Sequence, residues 1–189
     1  MIDTVATVET NCELTPGYRL LTLDFDRELE ARAGQFAMLK AHAAFEPLLR
    51  RALAIYRVQG PRRLSFLYQV LGRGTQALAE LIAGGKVDAL VPLGNQWPMS
   101  DKAIVVAGGI GSASVLMLCE ALRAAKCETQ IFFGAASHRV ALGCGLEDFR
   151  ALELPLTLTT DDGSLGERGF VTAPLERHLA AGGGAGATV

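Results

Sequence analysis

The chain has 189 residues, half of them apolar, and a formal charge of -2 at pH 7. That is enough chain to bury one large core or two modest ones, and two small domains are the expectation. The charge balance supplies no basic field for nucleic acid, and no apolar run approaches the length of a membrane span, so neither partner is expected.

The first half reads as β. Residues 4–8 begin a strand, Pro16-Gly17 marks a turn, and residues 18–25 follow with Leu21, Leu23 and Phe25 on one face. Further strands are predicted over 35–40, 53–58, 63–70 and 86–91. Six short strands separated by turn signals predict a small antiparallel barrel. One helix interrupts them over 75–82, with Thr75 placed to cap its start and Gly84-Gly85 to end it. The proline-bracketed stretch 92–98 then closes a first domain, 1–98, and opens a second, 99–189.

After that boundary the period changes. Residues 103–107 are small or β-branched, suited to a strand buried on both faces, and they break into Gly108-Gly109-Ile110-Gly111 before Ser112 and a helical apolar pattern through Leu122. A second buried strand is predicted over 129–134, a short helix over 146–150 and a third strand over 156–160. This alternation predicts a parallel sheet with right-handed crossovers. Asp161 and Asp162 end the third strand, where open parallel sheets bind ligands; they suit either a ribose or an Asx turn. The dinucleotide fingerprint of a dehydrogenase is not met, because Ser114 stands for its third glycine and Ser137-His138-Arg139 for the carboxylate after its second strand.

Three stretches suit an anion. Gly108–Ser112 joins a strand to a helix and exposes N–H groups. Gly72-Arg73-Gly74-Thr75 does the same ahead of the predicted helix, and Arg50-Arg51 offers guanidinium donors that match paired phosphate oxygens. Each also suits a bland role, as a packed turn or a solvated strand end. The four cysteines, at 12, 119, 127 and 144, show no CxxC pair or dense framework and read as free thiols. The opening Met1-Ile2-Asp3-Thr4 lacks the basic-then-apolar pattern of an export leader, so the expected setting is the cytoplasm.

In order, residues 49–55 (LRRALAI), 68–75 (YQVLGRGT), 92–95 (PLGN), 107–111 (AGGIG) and 160–166 (TDDGSLG) resemble the ferredoxin-reductase-like flavoproteins, and within them the electron-transfer subunit of dihydroorotate dehydrogenase. The resemblance runs through nearly the whole chain. It implies FAD in the barrel, NADH on the α/β domain, a [2Fe–2S] cluster on a C-terminal extension, and an FMN-containing dihydroorotate dehydrogenase catalytic subunit as partner in pyrimidine biosynthesis. Hydride from NADH would reach the flavin, which would release single electrons onward, and no side chain need act as acid or base.

Carried over by residue, the resemblance implies that Arg51 holds the FAD pyrophosphate. Ala52, Leu53 and Ala54 would line the flavin, Tyr68, Gln69 and Val70 would flank it, and Gly74 and Thr75 would cradle the phosphates. Gly109, Gly111 and Ser112 would receive the nicotinamide nucleotide, with Ser137 and Arg139 placed to meet a 2′-phosphate or solvent. The family usually has proline and serine where this chain has Ala52 and Ala54, so a hydroxyl hydrogen bond to the flavin ring is missing. The chain stops at 182–189, where the family would begin another strand, and the cluster ligands are expected outside it. The alternatives are the flavin subunit of a hydrogenase or sulfite reductase complex, and a non-catalytic nucleotide-binding regulatory protein.

Overall fold

The alternating segments of the first half pair into one curled antiparallel sheet. Its strands are β1 (Ile2–Thr15), β2 (Tyr18–Asp24), β3 (Phe36–Ala41), β4 (Arg51–Ala54), β5 (Arg57–Val58), β6 (Arg63–Gln69) and β7 (Lys86–Leu93), in the order β4-β3-β7-β1-β2-β6-β5. This is a computed structural model that describes residues 1–42 and 48–189. Met1–Gln96 form one unit and Trp97–Val189 another.

The strand expected over 53–58 is split in two. Ile55 N–H donates to Gln35 O at 3.0 Å and Tyr56 N–H to Ser65 O at 2.8 Å. Ile55 and Tyr56 thereby carry the chain from one sheet edge, where β4 pairs with β3, to the other, where β5 pairs with β6. Bridging the two edges leaves less open ladder, the usual reason a small antiparallel sheet closes into a barrel. Leu21, Leu23, Phe25, Leu39, Phe66 and Tyr68 are buried in this unit.

The helix of this unit, α1 (Arg73–Ala79), starts two residues earlier than expected, with Gly72 as its N-cap. Thr75 therefore sits inside the first turn and reaches back: its Oγ1 accepts from the N–H groups of Leu71 (3.0 Å) and Gly72 (3.2 Å) and donates to Gly72 O (3.1 Å). A hydroxyl in the first turn can close the entry loop this way when the cap residue has no side chain of its own.

In the second unit β8 (Lys102–Gly108), β9 (Glu128–Ala135), β10 (Leu156–Thr160) and β11 (Glu167–Arg168) form one parallel sheet in sequence order. The helix expected directly after the glycines does not begin there. A 3-10 turn, Gly109–Ser114, intervenes before α2 (Leu116–Ala124). To the short helix expected over 146–150, here α4 (Leu146–Arg150), the structure adds α3 (His138–Gly143) and α5 (Thr172–Ala180). Both sheet faces are covered, as a parallel sheet requires. Phe133 meets Phe149 of α4 edge-on at 5.2 Å, and Phe132 meets His178 of α5 at 5.4 Å. On the free side of β8, Thr188 pairs in parallel with Ala103. Among the described residues no helix is long and apolar enough to cross a membrane.

Candidate functional site

Arg51 opens β4 and lies against the first turn of α1. A Cβ built on Gly74 would stand 2.5 Å from Arg51 Cζ and 2.7 Å from its Nη2, so only a glycine allows this approach. Arg51 Nη1 donates to Leu49 O at 2.8 Å, which anchors the guanidinium to the segment just before β4. The neighbouring Arg50 is committed elsewhere, with Nη2 on Asp3 Oδ1 at 2.7 Å. Of the two arginines, Arg51 is the one set beside a helix start, whose first N–H groups have no carbonyl to bond within the helix. The guanidinium and the first turn of α1 thus lie side by side, an arrangement that suits a phosphate-sized anion.

β4 and β6 approach each other, which brings the other residues expected around a flavin into one region. Ala52 is exposed, while Leu53 and Ala54 are half-buried, paired with Ala37 and Phe36 of β3. Gln69 and Val70 are half-buried at the end of β6, and Val70 N–H is bonded to Gly17 O. Tyr68 differs. It is buried, its hydroxyl donates to Asn11 Oδ1 at 3.3 Å, and burial pushes its pKa up. Asn11 and Arg19, which this tyrosine joins, were not singled out from sequence. The available signal was an asparagine in the middle of a strand, where that residue is depleted.

The second glycine turn carries no side-chain cation in its own stretch. Gly109 has φ +51, a left-handed conformation that favours glycine, and both Gly109 and Gly111 have open space where a Cβ would point. Ser112 is fully buried, and its Oγ donates to Cys144 O at 2.6 Å. Its hydroxyl therefore ties the turn to the end of α3. Ser114 Oγ bonds Gly111 O at 2.8 Å, and Trp97 Nε1 donates to Ser114 O at 2.9 Å.

The loop after β10 is held in the same manner. Ser137 caps α3 by accepting from Val140 N–H, and His138 N–H donates to Ser164 Oγ at 2.8 Å. Asp162 Oδ1 accepts from Ser164 N–H at 2.9 Å, an Asx turn, and these Ser164 bonds hold the carboxyl below its ordinary pKa. The four cysteines are free thiols. Burial pushes Cys119 and Cys144 up to about 12, and among the described residues no three His, Cys, Asp or Glu side chains gather to hold a metal ion. That donor set does not fit an iron–sulfur cluster, whose irons are held by thiolates.

No family model matches the chain. It is 35% identical over 164 residues to the dihydroorotate dehydrogenase B (NAD(+)) electron transfer subunit of Desulforamulus reducens, covering 83% of this chain and 62% of that one. It is 34% identical over 185 residues to the Enterococcus faecalis protein of the same name, covering 93% and 68%. Among solved structures it superposes on a ferredoxin NADP+ reductase from Neisseria gonorrhoeae with bound FAD and NADP, at a TM-score of 0.74 and 14% identity, covering 99% and 80%. The fold is ferredoxin-reductase-like, and the chain spans about two thirds of the length of the curated relatives it matches. With that coverage and identity, the chain belongs to the family of dihydroorotate dehydrogenase B electron transfer subunits.

Proposed function

We propose that this chain is the flavin-bearing part of an electron-transfer subunit: FAD on the first unit, NADH on the second, and electrons passed towards an FMN-containing dihydroorotate dehydrogenase catalytic subunit in the cytoplasm. The observation that carries the reading is the contact between Arg51 and Gly74, where a side chain at residue 74 would take the guanidinium's place. Arg51 and the first-turn N–H groups of α1 would bind the FAD pyrophosphate, with Thr75 keeping the entry loop in shape. Ala52, Leu53 and Ala54 would lie along the ring system, Gln69 and Val70 would flank it, and Tyr68 would support it from within the barrel.

A bound flavin supplies the means to take two electrons as hydride and release them one at a time. The chain's own residues bind and orient. In the second unit Gly109 and Gly111 would leave room for the nicotinamide nucleotide, and Ser112 would hold the turn to α3 through Cys144 O. The name that the relatives carry, electron transfer subunit of an NAD(+)-linked dehydrogenase, supports a nicotinamide nucleotide and a dihydroorotate dehydrogenase catalytic subunit as the two ends of the electron path.

The visible spectrum of the purified chain, with the released cofactor identified by chromatography, tests the flavin. Arg51→Ala should weaken FAD retention by about ten- to a hundredfold, the effect of losing a charge-assisted paired contact. Retention equal to the parent's would show the assignment of Arg51 to be wrong.

A further inference from the structure

Asn11 uses its side-chain amide fully. Nδ2 donates to Leu78 O and to Leu81 O, each at 2.9 Å, while Oδ1 accepts from Arg19 Nε at 3.2 Å and from the Tyr68 hydroxyl at 3.3 Å. Arg19 Nη2 in turn donates to Asn11 O at 2.7 Å. The two carbonyls stand at the last turn of α1 and just past it, where helix carbonyls run out of partners within the helix. One side chain on β1 therefore fastens the far end of α1 to β1, to β2 through Arg19 and to β6 through Tyr68.

The near end of α1 is where Gly74 meets Arg51. The helix is seven residues long, roughly 10 Å, so a displacement at Leu78 and Leu81 is carried to the first turn. Leu78 is itself fully buried and seats the helix body, but apolar packing resists tilting less specifically than directed hydrogen bonds. β6 also feeds straight into α1, so the pair Asn11 and Tyr68 holds both the strand that enters the helix and the turn that leaves it.

We propose that Asn11, with Arg19 and Tyr68, is a positioning residue for the phosphate seat: it pins the C-terminal end of α1 so that its first turn stays in register with the Arg51 guanidinium. This rests on the reading of Arg51 and α1 as the FAD pyrophosphate site. A role confined to barrel stability would treat Asn11 and Arg51 as independent; a positioning role couples them.

The test is a double-mutant cycle on FAD affinity in the full chain, using Asn11→Ala, Arg51→Ala and the pair, with thermal unfolding of the flavin-free proteins alongside. Asn11→Ala should weaken FAD about tenfold, and in the Arg51→Ala background it should add no more than about twofold. Unchanged affinity in Asn11→Ala, or effects that multiply in full, would overturn the proposal. Arg51→Ala without effect would instead remove the pyrophosphate site itself. Should Asn11→Ala not fold, Arg19→Met keeps the aliphatic stem, removes two bonds of the same network and is read by the same cycle, with coupling to Arg51 expected and independence overturning it.

Discussion

The two glycine turns of this chain are alike in sequence and unlike in structure. At residues 72–75 the glycine is demanded by the protein's own Arg51, whose guanidinium occupies the space of a side chain. At residues 108–112, among the described residues, nothing beyond the turn's own neighbouring backbone lies within 4 Å of where a Cβ on Gly109 or Gly111 would be, and the demand comes from backbone conformation at Gly109 alone. The first turn brings a cation to its N–H groups; the second offers shape and free space. If both hold nucleotides, the first should be sensitive to charge and the second to bulk.

The largest effect expected from that contrast is at Gly111. Gly111→Val fills open space without strain, so the second unit's thermal stability should be unchanged while NADH-dependent flavin reduction falls by about a hundredfold or more and FAD stays bound. Concerted loss of FAD, stability and reduction would mean that the residue serves packing.

Next comes Gly74→Ala, where two consequences should diverge in sign. The methyl group displaces the end of a flexible arginine, so FAD should weaken about ten- to a hundredfold. The flavin-free protein should hold or gain roughly 0.5–1 kcal/mol, because alanine suits a helix better than glycine. Calorimetry with and without FAD separates the two, and a parallel loss in both states would break the comparison.

Alkaline pH should act on the second unit through Cys119 and Cys144. Their pKa values are raised to about 12 in the folded chain against an ordinary 9.0, so the folded state keeps protons that the unfolded state gives up. The stability they contribute is fully present below pH 9 and is lost as pH rises towards 12, by at most about 1.4 kcal/mol per thiol per pH unit. Denaturation followed at pH 8 and pH 10 should show this loss, and Cys119→Ala with Cys144→Ala should reduce it.

The smallest effect is expected at Gly109. With φ at +51, alanine there should cost the second unit about 1–2 kcal/mol. Trp97, the only tryptophan and a residue of that unit, reports it by fluorescence in urea. An unchanged midpoint would show that the turn relaxes freely.

Local pattern carried much of this into view. The alternation of Leu21, Leu23 and Phe25 marks a sheet face, the buried run 103–107 marks a parallel strand, and the glycines at 72–75 and 108–111 mark both turns, because periodicity and backbone freedom act over a few residues. Tertiary structure decided what depends on distant partners. Arg50 is drawn off by Asp3, 47 residues away; Ser112 gives its hydroxyl to Cys144, 32 residues away; Asn11 reaches Leu78, 67 residues away. The break between β4 and β5 belongs to the same class, since it exists only because Gln35, just before β3, and Ser65, on β6, lie towards opposite ends of the sheet. A polar side chain's role is set by whichever partner the fold brings within about 3 Å, and that distance is a property of packing which neighbours in sequence do not encode.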